Sequence, residues 1–210
     1  AALGIIATQS QANGTLMVRP SFDVGATIAP AMIERIAVIG SGQMGNGIAQ
    51  VAACSGFEVV MIDIDQAFLD RGLKTIETSL SKLVSKDRMT QNDADAARSR
   101  IATATRKSAC SESDLVIEAI PEVPGLKYST FQELDTICRP EAILASNTSS
   151  ISITKIAEQT QRADRVIGMH FMNPVPIMKL VEIINGKMTS DETNLAVTEI
   201  AEKMNKTPLN

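Results

Sequence analysis

The sequence predicts an α/β fold, in which helices cover both faces of a doubly wound, mostly parallel sheet. From Arg35 onward, short apolar strands alternate with helical stretches. The runs Ile36–Ile39 and Leu115–Ile117 contain no polar residue, as expected for parallel strands that are buried on both faces. The connection between Asp63 and Ile101 is too long for one crossover helix, so we expect it to carry an inserted helical pair.

The individual elements follow from apolar periodicity and from capping residues. We expect strands at Arg35–Ile39, Glu58–Ile62, Ile101–Thr103, Leu115–Glu118, Ile143–Ala145, Val166–Met169 and Leu180–Ile184. Helices are predicted at Met44–Cys54, residues 67–85, Pro124–Ile137, Ile153–Glu158 and Asp191–Lys203. Thr189-Ser190 should cap the last helix, and Asn92 or Asp93 should cap the second member of the inserted pair.

Composition narrows the function. The 210 residues are 44% hydrophobic and 21% charged, which is typical of a globular protein. A net charge of −4 argues against nucleic-acid binding, which needs a basic surface. Three cysteines and one histidine cannot assemble a zinc site, and we expect no metal. The cysteines give no disulfide framework, so we interpret all three as small apolar fillers in a reducing compartment.

Two segments need separate interpretation. The uncharged run Ile36–Phe57 is as long as a membrane span, but its five glycines favour a strand, a tight loop and a buried helix. Residues 1–34 carry few charges and show no steady period. We interpret them as a loose N-terminal tail and residues 35–210 as one domain.

A glycine-rich loop follows the first strand. Gly40-Ser41-Gly42-Gln43-Met44-Gly45 fits G-x-G-x-x-G and opens the next helix, as in Rossmann-like folds. Asp63 ends the second strand, where a carboxylate would accept hydrogen bonds from adenosine ribose hydroxyls. Ile64 and Asp65 offer no arginine for a 2′-phosphate, so the pattern favours NAD over NADP.

Two further polar groups follow strands. His170 is the only histidine, and Glu182 lies in the next strand, so a short reversal could bring the two side chains together. Such a carboxylate would fix the tautomer of the imidazole and stabilise its protonated form. On spacing alone, both His170 and the run Ser146–Ser150 are equally compatible with structural roles.

Four motifs carry a resemblance. The glycine loop with its continuation to Gln50, the strand Leu115–Ala119, the run Ala145–Ser150 and the segment Gly168–Glu182 are similar to the 3-hydroxyacyl-CoA dehydrogenases. The bacterial 3-hydroxybutyryl-CoA dehydrogenases are the most similar group, and the resemblance covers about 176 residues.

The resemblance implies a role for each matching position. His170 would be the general base that takes the 3-hydroxyl proton, Glu182 its orienting partner, and Ser149 a hydrogen-bonding partner of the substrate oxygen. Gly40, Ser41, Gly42, Gln43, Met44, Gly45 and Asp63 would bind the adenosine and pyrophosphate of NAD, and Glu122, Lys127, Ser149 and Asn173 the nicotinamide half. Ser79 and Lys86 would contact the coenzyme A part of an acyl-CoA substrate.

The residues also support the last assignment independently. Ser79, Lys82 and Lys86 have helical spacing and should share one helix face. Residues 71–88 hold five basic and two acidic residues, a local excess of positive charge that an anionic nucleotide could use.

The sequence departs from the family in two respects. Ser41 replaces the usual Ala or Gly of the loop, which a small residue should tolerate. A further active-site Asn and a helical C-terminal domain, which the resemblance places beyond residue 210, are absent from these residues. We therefore expect this chain to be inactive alone, and a homodimer only for the full-length protein, in the cytoplasm or alternatively the mitochondrial matrix.

Two alternatives remain open. The chain could derive from the dehydrogenase part of a multifunctional fatty-acid oxidation enzyme, or it could be a non-catalytic NAD-binding relative of the lens-crystallin type. The presence of Ser149, His170 and Glu182 argues against lost catalysis.

Overall fold

The computed structural model describes residues 33–210, so most of the expected N-terminal tail lies outside the described residues. The strands are β1 (Arg35–Ile39), β2 (Glu58–Ile62), β3 (Ile101–Ala104), β4 (Leu115–Glu118), β5 (Ile143–Ser146), β6 (Val166–Phe171), β7 (Leu180–Asn185) and β8 (Thr207–Leu209). They form one sheet in the order β3-β2-β1-β4-β5-β6-β7-β8. Strands β1 to β6 are parallel, whereas β7 pairs antiparallel with β6 and parallel with β8.

Helices cover both faces of this sheet. They are α1 (Gln43–Cys54), α2 (Gln66–Val84), α3 (Gln91–Ser99), α4 (Pro124–Ile137), α5 (Ile153–Ala157) and α6 (Asp191–Lys203), with short 3₁₀ helices at Lys107–Cys110 and Ala163–Arg165. The first three helices and α6 pack on one face, and α4 and α5 pack on the other. The predicted doubly wound α/β fold is confirmed, with α2 and α3 as the inserted helical pair.

The central strand shows why the sheet needs helices on both sides. Ile36 and Val38 of β1 point into one apolar cluster, while Ala37 and Ile39 point into the other. All four side chains are at most 3% exposed. Burying a large aliphatic side chain contributes about 1.5–3 kcal/mol, so an uncovered face would forfeit much of the folding free energy.

Of the two helix caps predicted from the sequence, one is confirmed and one is wrong. Ser190 accepts a hydrogen bond from the Thr193 N–H and caps α6, as predicted. The cap of α3 is Thr90, whose hydroxyl oxygen accepts from the Asp93 N–H, so the expectation of Asn92 or Asp93 is wrong. The helix begins at Gln91, so Asn92 and Asp93 lie within its first turn.

Two other expectations were incomplete. Strand β8 was not predicted, because it has only three residues and contains Pro208, which has no N–H to donate. The proline is tolerated because β8 lies at the edge of the sheet, beside β7.

Cys110 and Cys138 are buried, with 3.6 Å between their Sγ atoms. Cys54 is exposed, so its interpretation as a buried filler is wrong; it is the last residue of α1, at the surface.

The uncharged run at residues 36–57 forms β1, the glycine loop and α1, as expected. Among the helices at residues 33–210, none combines the length and the hydropathy that a membrane crossing requires.

The close contact between β1 and α1 yields a stability prediction. A Cβ at Gly45 would lie 1.8 Å from the Gly40 carbonyl oxygen, whereas a Cβ at Gly125, in the exposed first turn of α4, would meet nothing within 4 Å. We therefore expect Gly45→Ala to lower the free energy of unfolding by about 1–3 kcal/mol or more. Gly125→Ala should leave it unchanged or raise it slightly. Urea denaturation checks this, and equal stability of the two variants would contradict it.

Candidate functional site

The candidate residues collect at one edge of the sheet. Because β1 to β6 are parallel, their carboxyl ends meet there, and the strand order reverses between β1 and β4. The glycine loop follows β1, Asp63 follows β2, Glu122 follows β4, Ser149 follows β5, and His170 lies near the end of β6. The fold therefore brings together residues that are far apart in the sequence.

The glycine loop lines a cavity of about 1190 Å³. Gly40 has a φ of +100°, which favours glycine, and a Cβ there would lie 2.7 Å from the Ala119 carbonyl oxygen. At Gly42 a Cβ would meet nothing within 4 Å. Gly42 is thus not required for packing, and its missing side chain leaves open space beside the first turn of α1.

These features fit a dinucleotide. In contrast to α2, α3, α5 and α6, helix α1 has no side-chain cap, and its first turn holds no acidic residue. Its first N–H groups therefore lie at the loop without a side-chain acceptor, in a position suited to a phosphate. The open space at Gly42 is where a pyrophosphate could approach the backbone.

Asp63 is held at the same cavity by the loop. Its Oδ2 accepts hydrogen bonds from the N–H and the hydroxyl of Ser41, both at 2.7 Å, and its Oδ1 accepts from the Ile64 N–H at 2.8 Å. The serine that departs from the family pattern is therefore accommodated, and it fixes the carboxylate. Three basic residues line the cavity, Arg71, Arg106 and Lys107, and none of them was assigned to the cofactor from the sequence.

His170 and Glu182 form a hydrogen-bonded pair. They lie directly opposite each other in the antiparallel register of β6 and β7, with 2.8 Å between Nδ1 and Oε2. The side chain of His170 is 19% exposed. Its Nε2 makes no hydrogen bond to any of residues 33–210 and is therefore available to a ligand. The geometry suits an imidazole that takes up a proton at Nε2 while a carboxylate stabilises the resulting charge.

The segment that follows His170 is fixed by two contacts. The buried Lys206 donates from Nζ to the backbone carbonyls of Val175 and Met178. Burial and the nearby Lys179 lower the pKa of Lys206 from its ordinary value. Gln43 of the glycine loop donates from Nε2 to Asn173 Oδ1 at 3.2 Å. Asn173 therefore joins the cofactor loop to the His170 segment, while the role of Lys206 had no sequence signal.

A buried ion pair lies under the ends of β4 and β5. Lys127 is 1% exposed and Glu118 is 0% exposed. Lys127 Nζ lies 2.6 Å from Glu118 Oε1 and 3.3 Å from Glu122 Oε2. Glu118 also accepts from the Ile120 N–H and from the Ser146 hydroxyl. Glu118 was predicted only as a strand residue, although a lone carboxylate ending an apolar strand is an available signal for a buried pair.

Glu122 clamps the loop that contains Ser149. Its Oε1 accepts from the Thr148 hydroxyl, from the Ser149 N–H at 3.1 Å and from the Ser150 hydroxyl at 3.1 Å. Burial alone would raise the pKa of Glu122, but the hydrogen bond from Thr148 and the charge of Lys127 outweigh it and lower the pKa. The Ser149 hydroxyl makes no hydrogen bond within residues 33–210, so it is available to a ligand.

A second groove, of about 670 Å³, lies between α2 and residues 173–177. Ser79 and Lys82 line it together with Arg71 and Lys74, and Lys86 does not. The expectation that Ser79, Lys82 and Lys86 share one helix face is wrong, because α2 ends at Val84 and helical spacing stops there. Asp87 follows with a φ of +53°, which turns the chain away from the helix axis.

Within residues 33–210 there is no group of three or more His, Cys, Asp or Glu side chains that could hold a metal ion.

Comparisons with known proteins follow the same lines. A probable 3-hydroxybutyryl-CoA dehydrogenase of Deinococcus radiodurans is 54% identical over 175 residues, which cover 83% of this chain and 63% of the relative. The mitochondrial hydroxyacyl-coenzyme A dehydrogenase of Rattus norvegicus is 43% identical over 185 residues, covering 85% and 59%. The crystal structure of (S)-3-hydroxybutyryl-CoA dehydrogenase from Ralstonia eutropha superposes with a TM-score of 0.83 at 46% identity, covering 85% of this chain and 63% of that one.

The chain thus spans about three fifths of the length of these relatives. A protein family described as 3-hydroxyacyl-CoA dehydrogenase, NAD binding domain, matches residues 35–210. NAD is the cofactor that this domain family binds. The chain belongs to the NAD-binding domain family of the 3-hydroxyacyl-CoA dehydrogenases.

Proposed function

We propose that the protein containing this chain is an NAD-dependent 3-hydroxyacyl-CoA dehydrogenase. It would interconvert a (3S)-3-hydroxyacyl-CoA and a 3-oxoacyl-CoA by hydride transfer at C3, in fatty-acid or butanoate metabolism. The observation that carries the proposal is the His170–Glu182 pair, which lies at the same sheet edge as the glycine loop. A base and a dinucleotide cradle at one edge are what an alcohol oxidation needs.

The residues divide the chemistry as follows. NAD, when bound, would supply the acceptor for the hydride that leaves C3. His170 takes the hydroxyl proton at Nε2, while its Nδ1–H donates to Glu182, which stabilises the imidazolium. The Ser149 hydroxyl holds the substrate oxygen, since Glu122 fixes the backbone of its loop. Glu122, Lys127 and Asn173 shape the nicotinamide end, and Gly40–Gly45 with Asp63 bind the adenosine end.

The second groove suits the coenzyme A part of the substrate. Its lining carries the basic residues Arg71, Lys74 and Lys82 and no acidic residue, and it extends to the segment after His170. Ser79 lies in this groove, and Lys86 would act from the turn beyond α2.

We place the protein in the cytoplasm, with the mitochondrial matrix as the alternative because the rat relative is mitochondrial. The homodimer is proposed for the full-length protein.

A non-catalytic NAD-binding role is the second candidate function. It requires the cofactor cavity but not the available Nε2 of His170 or the available hydroxyl of Ser149. The preserved hydrogen bond between His170 and Glu182 therefore favours the enzyme. An assay of the complete protein with acetoacetyl-CoA and NADH separates the two, because only the enzyme oxidises NADH.

Gly42 provides a test of cofactor placement. A Cβ at residue 42 would enter the open space beside α1 without touching the protein. Gly42→Ala should therefore weaken NADH binding by about tenfold or more while the melting temperature stays unchanged, because the methyl group would keep the pyrophosphate from the backbone. Titration calorimetry on this chain measures the affinity, with Gly125→Ala as the control. Unchanged NADH affinity in Gly42→Ala would exclude the proposed position of the pyrophosphate beside Gly42.

Asp63 should determine the choice between NADH and NADPH. Its carboxylate is fixed by three hydrogen bonds and cannot turn away from a 2′-phosphate. Like charges a few ångströms apart cost roughly 1–4 kcal/mol, so NADH should bind at least about tenfold more tightly than NADPH. Asp63→Asn should narrow this ratio. Equal affinities for the two cofactors in the unmodified chain would contradict the proposal.

The His170 mechanism is tested in the complete protein. His170→Gln should retain NADH binding but reduce turnover by about two to four orders of magnitude, the usual effect of losing a general base. Glu182→Gln should reduce turnover by a smaller factor, because a neutral partner still orients the imidazole ring but cannot stabilise its charge. Steady-state kinetics with acetoacetyl-CoA measure both. Turnover close to the unmodified level in His170→Gln would refute the mechanism.

A further inference from the structure

One cationic side chain lies on both ligand cavities. The 1190 Å³ cavity at the glycine loop and the 670 Å³ groove beside Ser79 share four lining residues: Gln43, Asn46, Arg71 and Thr75. Arg71 is the only charged residue among them. The two cavities therefore meet at Arg71.

The position of Arg71 is set by its neighbours in α2. At the next residue, Gly72, a Cβ would lie 2.9 Å from the Ser41 carbonyl oxygen, so α2 contacts the glycine loop directly at this turn. One turn earlier, the Phe68 ring lies 4.6 Å from the Arg71 Cζ atom and supports the guanidinium by a cation–π contact. The guanidinium is thus held close to the loop.

The charge of Arg71 is not compensated by the protein. Within residues 33–210 Arg71 takes part in no salt bridge and donates no side-chain hydrogen bond. The two acidic residues of α2 contact other side chains, since Glu77 pairs with Arg98 and Asp70 accepts a hydrogen bond from Gln66. In the cavity itself Glu133 pairs with Lys107, and Asp63 is occupied by Ser41 and Ile64. An unpaired guanidinium between two cavities is available to ligands.

We infer that Arg71 is a binding residue shared by the two anionic nucleotides, contacting the pyrophosphate of the dinucleotide on one side and the phosphates of coenzyme A on the other. A guanidinium presents five N–H donors in a planar fork, so it can serve two phosphate groups at once, which an ammonium does less well. Arg71 also reduces the repulsion that two polyanions would otherwise feel across this boundary. The inference rests on the proposed function for the identity of the second ligand.

The test compares three variants of the 210-residue chain by calorimetry with NADH and with coenzyme A. Arg71→Ala should weaken both affinities by about tenfold, the effect of losing a charge-assisted hydrogen bond. The affinities of Arg71→Lys for both ligands should lie between those of the unmodified chain and those of Arg71→Ala, because the positive charge remains but the planar set of N–H donors is lost. Lys74→Ala is the matched control, since Lys74 lines only the second groove; it should weaken coenzyme A binding and leave NADH binding unchanged.

Salt dependence provides an independent readout. Removing a phosphate contact should reduce the dependence of affinity on salt for both ligands in Arg71→Ala, and for coenzyme A alone in Lys74→Ala. Arg71 and Lys74 are both exposed, and circular dichroism melting verifies that the three variants remain folded. Loss of affinity for only one ligand in Arg71→Ala, or no binding of coenzyme A to the unmodified chain, overturns the inference. Failure of the unmodified chain to bind NADH would instead refute the proposed function.

Discussion

A single buried ammonium group fixes the sheet edge on which the candidate site is built. Lys127 Nζ lies between Glu118 and Glu122, and Glu118 in turn bonds Ser146 at the end of β5. A charge in this location costs several kcal/mol unless every partner is in place, so removing either carboxylate would leave the ammonium uncompensated. These contacts therefore fix the positions of the ends of β4 and β5 and the start of α4 relative to one another.

The loop of Ser149 depends on that arrangement. Lys127 holds Glu122, and Glu122 accepts from three consecutive residues of the loop. In the same loop, Asn147 Oδ1 accepts a hydrogen bond from the Phe171 N–H. The N–H of Asn147 donates to the carbonyl oxygen of Glu118. Through Asn147, hydrogen bonds therefore connect Glu118 of the buried pair to Phe171, the residue next to the candidate base.

The cofactor half of the site is shaped by close contacts between backbone segments and not by side-chain chemistry. Gly40 and Gly45 are required because a Cβ would collide with backbone oxygens, and Gly72 serves the same purpose between α2 and the loop. These contacts show that the fold itself forms the cavity, which lowers the cost of ordering a bound dinucleotide. The His170–Glu182 pair is positioned in a different way, because both residues belong to paired strands.

The sequence by itself determined the fold class, seven of the eight strands and the glycine loop, because these depend on local apolar runs and on glycines at fixed spacing. It also singled out Asp63 and His170 as polar residues at the ends of apolar strands, whereas the roles of His170, Glu182 and Ser149 came from the resemblance to a known family. Tertiary structure alone decided which residues pair with Glu118, the contacts of Lys206, the exposure of Cys54 and the position of Arg71 between two cavities. Each of these depends on which residues meet from distant parts of the chain, and local periodicity carries no information about such contacts.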